Sequence, residues 1–306
     1  MSQVTEDPRV YASLRDLMLL QHQTNSLSFL PKQPIQSLLS GRHASRIRGR
    51  GLNFEKIRAY QPGDDVRTID WKVTARTRTA HTRVFTEERD RPVLVLVDQR
   101  MGMFFGTRRY MKSVVAAKLA ALAAWRVIDQ GDRVGAIVFG DQLAEAFSPR
   151  RSRQRVAEIL KSVVRMNRSL SADSPVRGNA NALGQAIEKA SRLATHDYLV
   201  VVISDFHGLD ERAIENLTRI AHRNDLIGLL VHDPSASEFP ISQRMTVSDG
   251  ELQLEVTGPR QTKRILEATS GRLTRVLSLQ RDLHAPMLPI STADEVLPQL
   301  RRLMGR

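Results

Sequence analysis

The chain contains no cysteine. Disulfides, zinc–thiolate sites, iron–sulfur clusters and cysteine nucleophiles are therefore excluded. The absence fits a reducing compartment. Aromatic residues make up only 5% of the 306 residues, few for a surface that stacks bases. Long apolar runs are also missing. The longest candidate, Val114 to Ile128, is broken by Lys118 and Arg126, whereas a membrane-spanning helix needs about 20 apolar residues. Met1 to Arg9 has no apolar stretch behind a basic start, so no secretory signal is expected and a cytoplasmic location is. Acidic residues are in deficit, 33 against 46 Lys plus Arg, for a net charge of +13. That surplus favours an acidic protein, nucleic acid or an anionic membrane surface, without choosing among them.

Catalytic signatures are missing as well. There is no G-x-x-x-x-G-K-[ST] phosphate loop, no G-x-S-x-G elbow and no H-E-x-x-H pair. The eight histidines are scattered. A non-catalytic protein is expected.

What is present is a patterned globular chain, with 41% hydrophobic and 26% charged residues, long enough for one large or two smaller domains. Residues Pro8 to Ser40 read as a helical entry, with Leu14, Leu17 and Met18 on one face. Gly41 to Arg50 is a basic loop carrying Arg42, Arg46, Arg48 and Arg50. Leu52 to Arg91 holds short β-type runs around the turn signal Gln61-Pro62-Gly63-Asp64. From Pro92 the pattern changes. Val93 to Val97 is a continuous apolar run, as in a strand buried on both faces, and a helix follows from about Arg108 to Gln130 with Met111, Val115, Leu119, Leu122 and Trp125 as one stripe. Strands are then expected at 134–139, 143–147, 198–203, 226–231 and 287–290, with helices at 151–166, 178–194, 209–223, 261–283 and 292–304. Met245 to Val256 reads as a hairpin turning through Asp249-Gly250. This alternation predicts a Rossmann-like α/β domain over 92–306, mostly parallel and covered on both sides, preceded by a helical and β-rich part over 1–91.

Ligands of open parallel sheets bind beyond the strands' carboxyl ends. Asp98, Asp205 and His232-Asp233 fall there. Two readings are open for the first two: capping of the next element, or holding a cation or basic side chain. His207 stands nearby, which leaves a metal-dependent hydrolase using Asp98, Asp205 and His207 as a third-ranked reading. Nucleic-acid binding through the basic surface is the second.

The stretch Tyr60-Gln61-Pro62-Gly63-Asp64-Asp65-Val66-Arg67-Thr68-Ile69-Asp70-Trp71-Lys72, followed by Thr74-Ala75-Arg76 and by Val97-Asp98, resembles the signature of the bacterial domain-of-unknown-function-58 family. The resemblance is detailed from about Arg48 to Phe139 and looser beyond. It implies a von Willebrand factor A-like domain, association with a MoxR-type AAA+ ATPase, and chaperone-like or assembly work. Such domains usually carry a metal-ion-dependent adhesion site, Asp-x-Ser-x-Ser with a later Thr and Asp, which suits Mg²⁺. Here the motif reads Asp98-Gln99-Arg100-Met101-Gly102, so Arg100 and Gly102 stand where serines would. The Thr loop reads Gly178-Asn179-Ala180-Asn181-Ala182, and Asp205 matches the last acidic position. Two accounts of Arg100 remain open: its guanidinium replaces the ion and bridges Asp98 to Asp205, or it faces solvent and the site is lost. Asp98, Arg100, Gly102, Asn181 and Asp205 are the candidate binding residues, with no cofactor expected. Within the signature, Tyr60, Pro62, Gly63, Asp64, Asp65, Arg67, Asp70, Trp71 and Arg76 are expected to be structural, an ion-pair network clamping the β-rich segment to the α/β domain with Trp71 in a core. The alternative is a charged recognition face.

Overall fold

The computed structural model describes residues 7–26, 52–87, 91–172, 178–234, 245–248, 253–256, 274, 276 and 278–304. Of the expected features, the basic loop 41–50, the Asp249-Gly250 turn and most of the helix at 261–283 lie outside them. The chain divides into two units, residues 35–90 and the remainder.

In the larger unit, β3 (Pro92–Asp98), β4 (Arg133–Phe139), β5 (Ala144–Arg150), β6 (Leu199–Ser204), β7 (Asp225–His232) and β10 (Met287–Ser291) form a six-stranded sheet in the order β10-β7-β6-β3-β4-β5. All neighbours run parallel except β5, which pairs antiparallel at the edge. The chain passes from β3 to β4 on one side and returns on the other through β6, so the topological switch point lies between β3 and β6.

The sheet is buried on both faces because every residue of β3 is apolar up to Asp98 and all seven are buried. Val93, Val95 and Val97 face one core and Leu94 and Leu96 the other. The first core is filled from α3 (Lys112–Asp129), α4 (Arg153–Arg168) and the last helix, α7 (Val296–Leu303), the second from α5 (Ala182–Leu193) and α6 (Glu211–Arg223). The expected single stripe on α3 is too narrow. Alanines at 116, 117, 120, 121, 123 and 124 are buried as well as Val115, Leu119, Leu122 and Trp125, because α4, α7 and the N-terminal segment surround the helix. A small antiparallel pair, β8 (Met245–Ser248) with β9 (Gln253–Val256), is present as expected. Among the described residues no helix is long and apolar enough to cross a membrane.

The helical entry belongs with this unit and not with the β-rich segment, which corrects the expected boundary at residue 91. In α1 (Leu14–Leu19), Leu17 is buried in the first core with Ala12. Trp125 Nε1 donates to Leu17 O at 3.1 Å. Asn167 is fully buried between the parts. Its Oδ1 accepts from Ala12 N at 2.7 Å, its Nδ2 donates to Gln99 Oε1 at 3.0 Å, and Gln99 Nε2 donates to Ser113 O at 3.0 Å. Sequence periodicity marked the apolar face of α1 but not what it packs against.

In the smaller unit, β1 (Leu52–Ala59) pairs antiparallel with β2 (His81–Glu87). The connection holds the expected turn, with Gly63 at φ 103° and Asp64 N donating to Gln61 O at 3.0 Å. It also holds a helix, α2 (Trp71–Thr77), where only β structure was expected. The signature carboxylates are engaged locally: Asp64 with Arg58 at 2.7 Å, Asp70 with Arg83 at 2.8 Å, and Asp65 with the Arg67 amide at 2.9 Å. Tyr60 closes the turn, its hydroxyl 3.4 Å from Asp64 O, while Pro62 and Arg76 are exposed. Trp71 is not core. It is 69% exposed, because it opens a short helix whose inner side is Val73 and Thr74.

Candidate functional site at the carboxyl edge of the sheet

Asp98 ends β3 and Asp205 follows β6, so neighbouring strands at the switch point deliver both carboxylates to one place. Between them lies Arg100. Its Nη2 is 2.8 Å from Asp98 Oδ2 and 3.7 Å from Asp205 Oδ1. Its Nε is 3.0 Å from Asp98 Oδ1, and its backbone amide donates to the same oxygen at 3.0 Å. Nη2 also donates to His207 O at 3.0 Å. Asp98 is fully buried and the Arg100 side chain 5% exposed, so this is a buried bidentate pair. Of the two accounts of Arg100, the guanidinium faces inward and not solvent: it is hydrogen-bonded to Asp98, and Asp205 is within ion-pair distance but beyond hydrogen-bond distance.

Further groups complete the cluster. Ser204 Oγ donates to Asp98 Oδ2 at 2.6 Å, and accepts from Phe206 N at 2.9 Å. Lys112, at the start of α3, places Nζ 2.5 Å from Asp205 Oδ2, and His207 N donates to Asp205 Oδ1 at 3.0 Å. The Arg100 guanidinium lies 5.9 Å from the Phe139 ring centroid. Burial works against the charge on Arg100, yet Asp98, Asp205 and Asp141 hold its pKa above the ordinary guanidinium value. Burial likewise opposes ionisation of Asp205, and Lys112 and then Arg100 outweigh it, so the carboxyl sits well below the usual carboxylate range.

Asp141 ties the surrounding loops. Its Oδ2 accepts from Met101 N and its Oδ1 from Asn179 N, both at 2.7 Å, while Asn179 Nδ2 donates to Asp141 O at 3.0 Å. Gly208, at φ 76°, lies so near the 178–181 loop that a Cβ would fall 2.3 Å from Ala180 O. Phe206 is also left-handed, at φ 55°, a conformation that costs a non-glycine residue about 1–2 kcal/mol; its buried side chain in the second core holds it there. A cavity of about 20 Å³ remains, lined by Arg100, Gly102, Asp141, Gly178, Asn179, Ala180, Asp205 and His207. That is room for about one water.

Of the expected residues, Asp98, Arg100, Gly102 and Asp205 therefore converge. Asn181 does not line the cavity; it opens α5, its amide donating to Asn179 Oδ1 at 3.0 Å, and Asn179 occupies the position assigned to it. Lys112 and Asp141 were not anticipated. Asp141 lies two residues beyond the end of β4, at the same edge of the sheet where Asp98 ends β3, a position visible in sequence; Lys112 carries no such mark. Asp233, also at a strand end, is structural: Thr107 Oγ1 and Thr292 Oγ1 donate to it at 2.6 and 2.5 Å.

These residues do not fit a divalent cation. Both oxygens of Asp98 are filled by Arg100 and Ser204, the Arg100 guanidinium lies between Asp98 and Asp205, and the Lys112 ammonium holds Asp205. Hydroxyl and carboxylate oxygens open toward one point are what such an ion needs. Nor does the arrangement suit the hydrolase reading, because Asp98 offers no free oxygen to take a proton.

Fold and site together define a Rossmann-like α/β protein whose switch point is closed by a buried arginine–carboxylate bridge. A family model described as "Protein of unknown function DUF58" matches residues 56–272, and the chain belongs to that family. Uncharacterized protein Rv1480 of Mycobacterium tuberculosis (strain ATCC 25618 / H37Rv) is 29% identical over 303 residues, covering 98% of this chain and 90% of its own. Uncharacterized protein Mb1516 of Mycobacterium bovis matches to the same extent, 29% over 303 residues. Among solved structures, the conserved hypothetical protein BatB from Bacteroides thetaiotaomicron aligns with a TM-score of 0.42 at 15% identity over 69% of this chain and 96% of that one. An aerotolerance-related membrane protein from Bacteroides fragilis NCTC 9343 aligns with a TM-score of 0.42 at 16% identity over 70% and 96%.

Proposed function

We propose that the chain is a non-catalytic protein-binding module with a von Willebrand factor A-like fold, and that it serves as partner or adaptor of a MoxR-type AAA+ ATPase in chaperone-like or assembly work. In this reading the adhesion site is degenerate: Arg100 takes the ion's place and the loops around it form the docking edge. The bridge from Arg100 to Asp98 and Asp205 is the observation that carries the proposal. It spends the site's charged groups on fixing the loops rather than on reacting atoms. The cavity of about 20 Å³ is far smaller than small-molecule sites, typically about 300–1,000 Å³, which favours contact with a partner's surface over a small ligand.

The test is binding to the purified MoxR-type ATPase of the source organism, by calorimetry. Wild type binds, and Asn179→Ala and His207→Ala, which leave the ion pairs in place, weaken binding about ten-fold each, or about 1.4 kcal/mol. Unchanged affinity in both would remove the sheet edge as the docking surface. No binding by wild type would remove the ATPase as partner.

A further inference from the structure

A second surface, independent of the sheet edge, lies on the 35–90 unit. The polar groups around Trp71 hold it in water. Asp70 caps α2, its Oδ1 accepting from Lys72 N at 3.0 Å and Val73 N at 3.1 Å. Its Oδ2 accepts from Arg83 Nε at 2.8 Å, and its own amide donates to His81 O at 2.8 Å. The start of α2 is thus pinned to β2, with Trp71 as its first residue and 69% exposed. Helical spacing puts Ala75 on the same side as Trp71, and Arg76 on the same side as Lys72. All four are exposed, while Val73 and Thr74 on the inner side are half-buried. Val66, in the preceding turn, is 59% exposed.

The charges on this surface are predominantly positive. Asp64 and Asp70 are paired with Arg58 and Arg83, while Asp65 accepts from the Arg67 amide and keeps its negative charge. The side chains of Arg67, Lys72, Arg76 and Arg78 are exposed and make no ion pair among the described residues. An exposed tryptophan among cations that form no ion pair with the described residues, mounted on a capped helix, is an anchor of the kind that dominates protein interfaces.

We propose that the outer face of α2 docks an acidic protein segment, with Trp71 packed against its apolar side chains and Arg67, Lys72, Arg76 and Arg78 paired with its carboxylates. Single-stranded nucleic acid is disfavoured because base binding uses successive stacking platforms. Tyr60, the other aromatic of 57–83, is half-buried with its hydroxyl turned to Asp64 O. A membrane surface is disfavoured because Trp71 and Val66 offer little apolar area to insert.

The chain has two tryptophans, and Trp125 is 1% exposed, so fluorescence changes on adding ligand report Trp71. The probe is a synthetic peptide of Asp and Glu with leucines spaced along it, titrated near physiological salt beside an oligouridine and phosphatidylcholine–phosphatidylserine vesicles. The peptide is expected to shift Trp71 emission to the blue and protect it from acrylamide. The double variant Lys72→Glu, Arg76→Glu weakens this at least ten-fold while Trp125 emission and circular dichroism stay native. Asn179→Ala, at the sheet edge, leaves the peptide response unchanged, so this outcome is separate from that of the ATPase reading. Failure of the peptide to shift emission, a stronger response to oligouridine or vesicles, or a Trp71 already shielded from acrylamide in the free protein would each overturn the proposal.

Discussion

Lys112 Nζ stands 2.5 Å from Asp205 Oδ2, giving Asp205 a cation from α3 in addition to Arg100 at 3.7 Å. The carboxylate after β6 is thereby held by both the loop after β3 and the helix that follows it. The depressed pKa of Asp205 sets the sign of a pH effect. A group whose folded pKa lies below its unfolded value of about 3.9 stabilises the fold above that value, and the contribution fades as pH falls below it. Asp205→Asn is therefore expected to lose about 3–5 kcal/mol at pH 7. In urea titrations the gap to wild type should narrow below about pH 4. A gap constant from pH 7 to pH 3 would contradict the coupling.

Arg100→Met removes the guanidinium and leaves Asp98 buried beside an apolar side chain. Breaking one side of a buried pair costs about 3–5 kcal/mol, so the urea midpoint should fall sharply. The double variant Asp98→Asn, Arg100→Met removes both charges and should recover part of the loss. A double-mutant cycle with no coupling would mean that the pair is not the unit described here.

Asn167→Ala removes the acceptor of Ala12 N and the donor to Gln99 Oε1. Each buried polar group left unmatched costs about 1–3 kcal/mol. The expected outcome is a loss of about 2–4 kcal/mol and faster amide exchange over residues 10–20. Exchange unchanged in that segment would show that α1 is held by apolar packing alone.

Gly208→Ala puts a Cβ 2.3 Å from Ala180 O at a residue with φ 76°. The 178–181 loop must move, with a loss above about 1 kcal/mol. Thermal melting measures the loss, and a melting temperature equal to that of wild type would contradict the close approach of residue 208 to Ala180.

Much of this was legible in the sequence, for reasons tied to particular residues. Continuous apolar runs such as Val93 to Val97 reveal buried parallel strands, and the polar residue that ends each run marks the ligand edge, which is how Asp98 and Asp205 stood out. Arg100 was legible by its place two residues after Asp98. Lys112 was not, because only the packing of α3 brings its Nζ to Asp205. Sequence does not separate Asn179 from Asn181, because the loop conformation, set by Asp141 and Gly208, is not periodic. Nor does residue type reveal that Trp71 opens a helix of seven residues with one side in water. The place of the helical entry in the α/β unit is likewise hidden, because its anchor, Asn167, lies 155 residues from Ala12.

Calorimetric titration of Mg²⁺ into the wild-type protein at neutral pH tests the internal-cation account most directly. With a guanidinium and an ammonium already on the two carboxylates, the predicted result is heat of dilution only. Saturable one-to-one binding, abolished by Asp98→Asn, would contradict it.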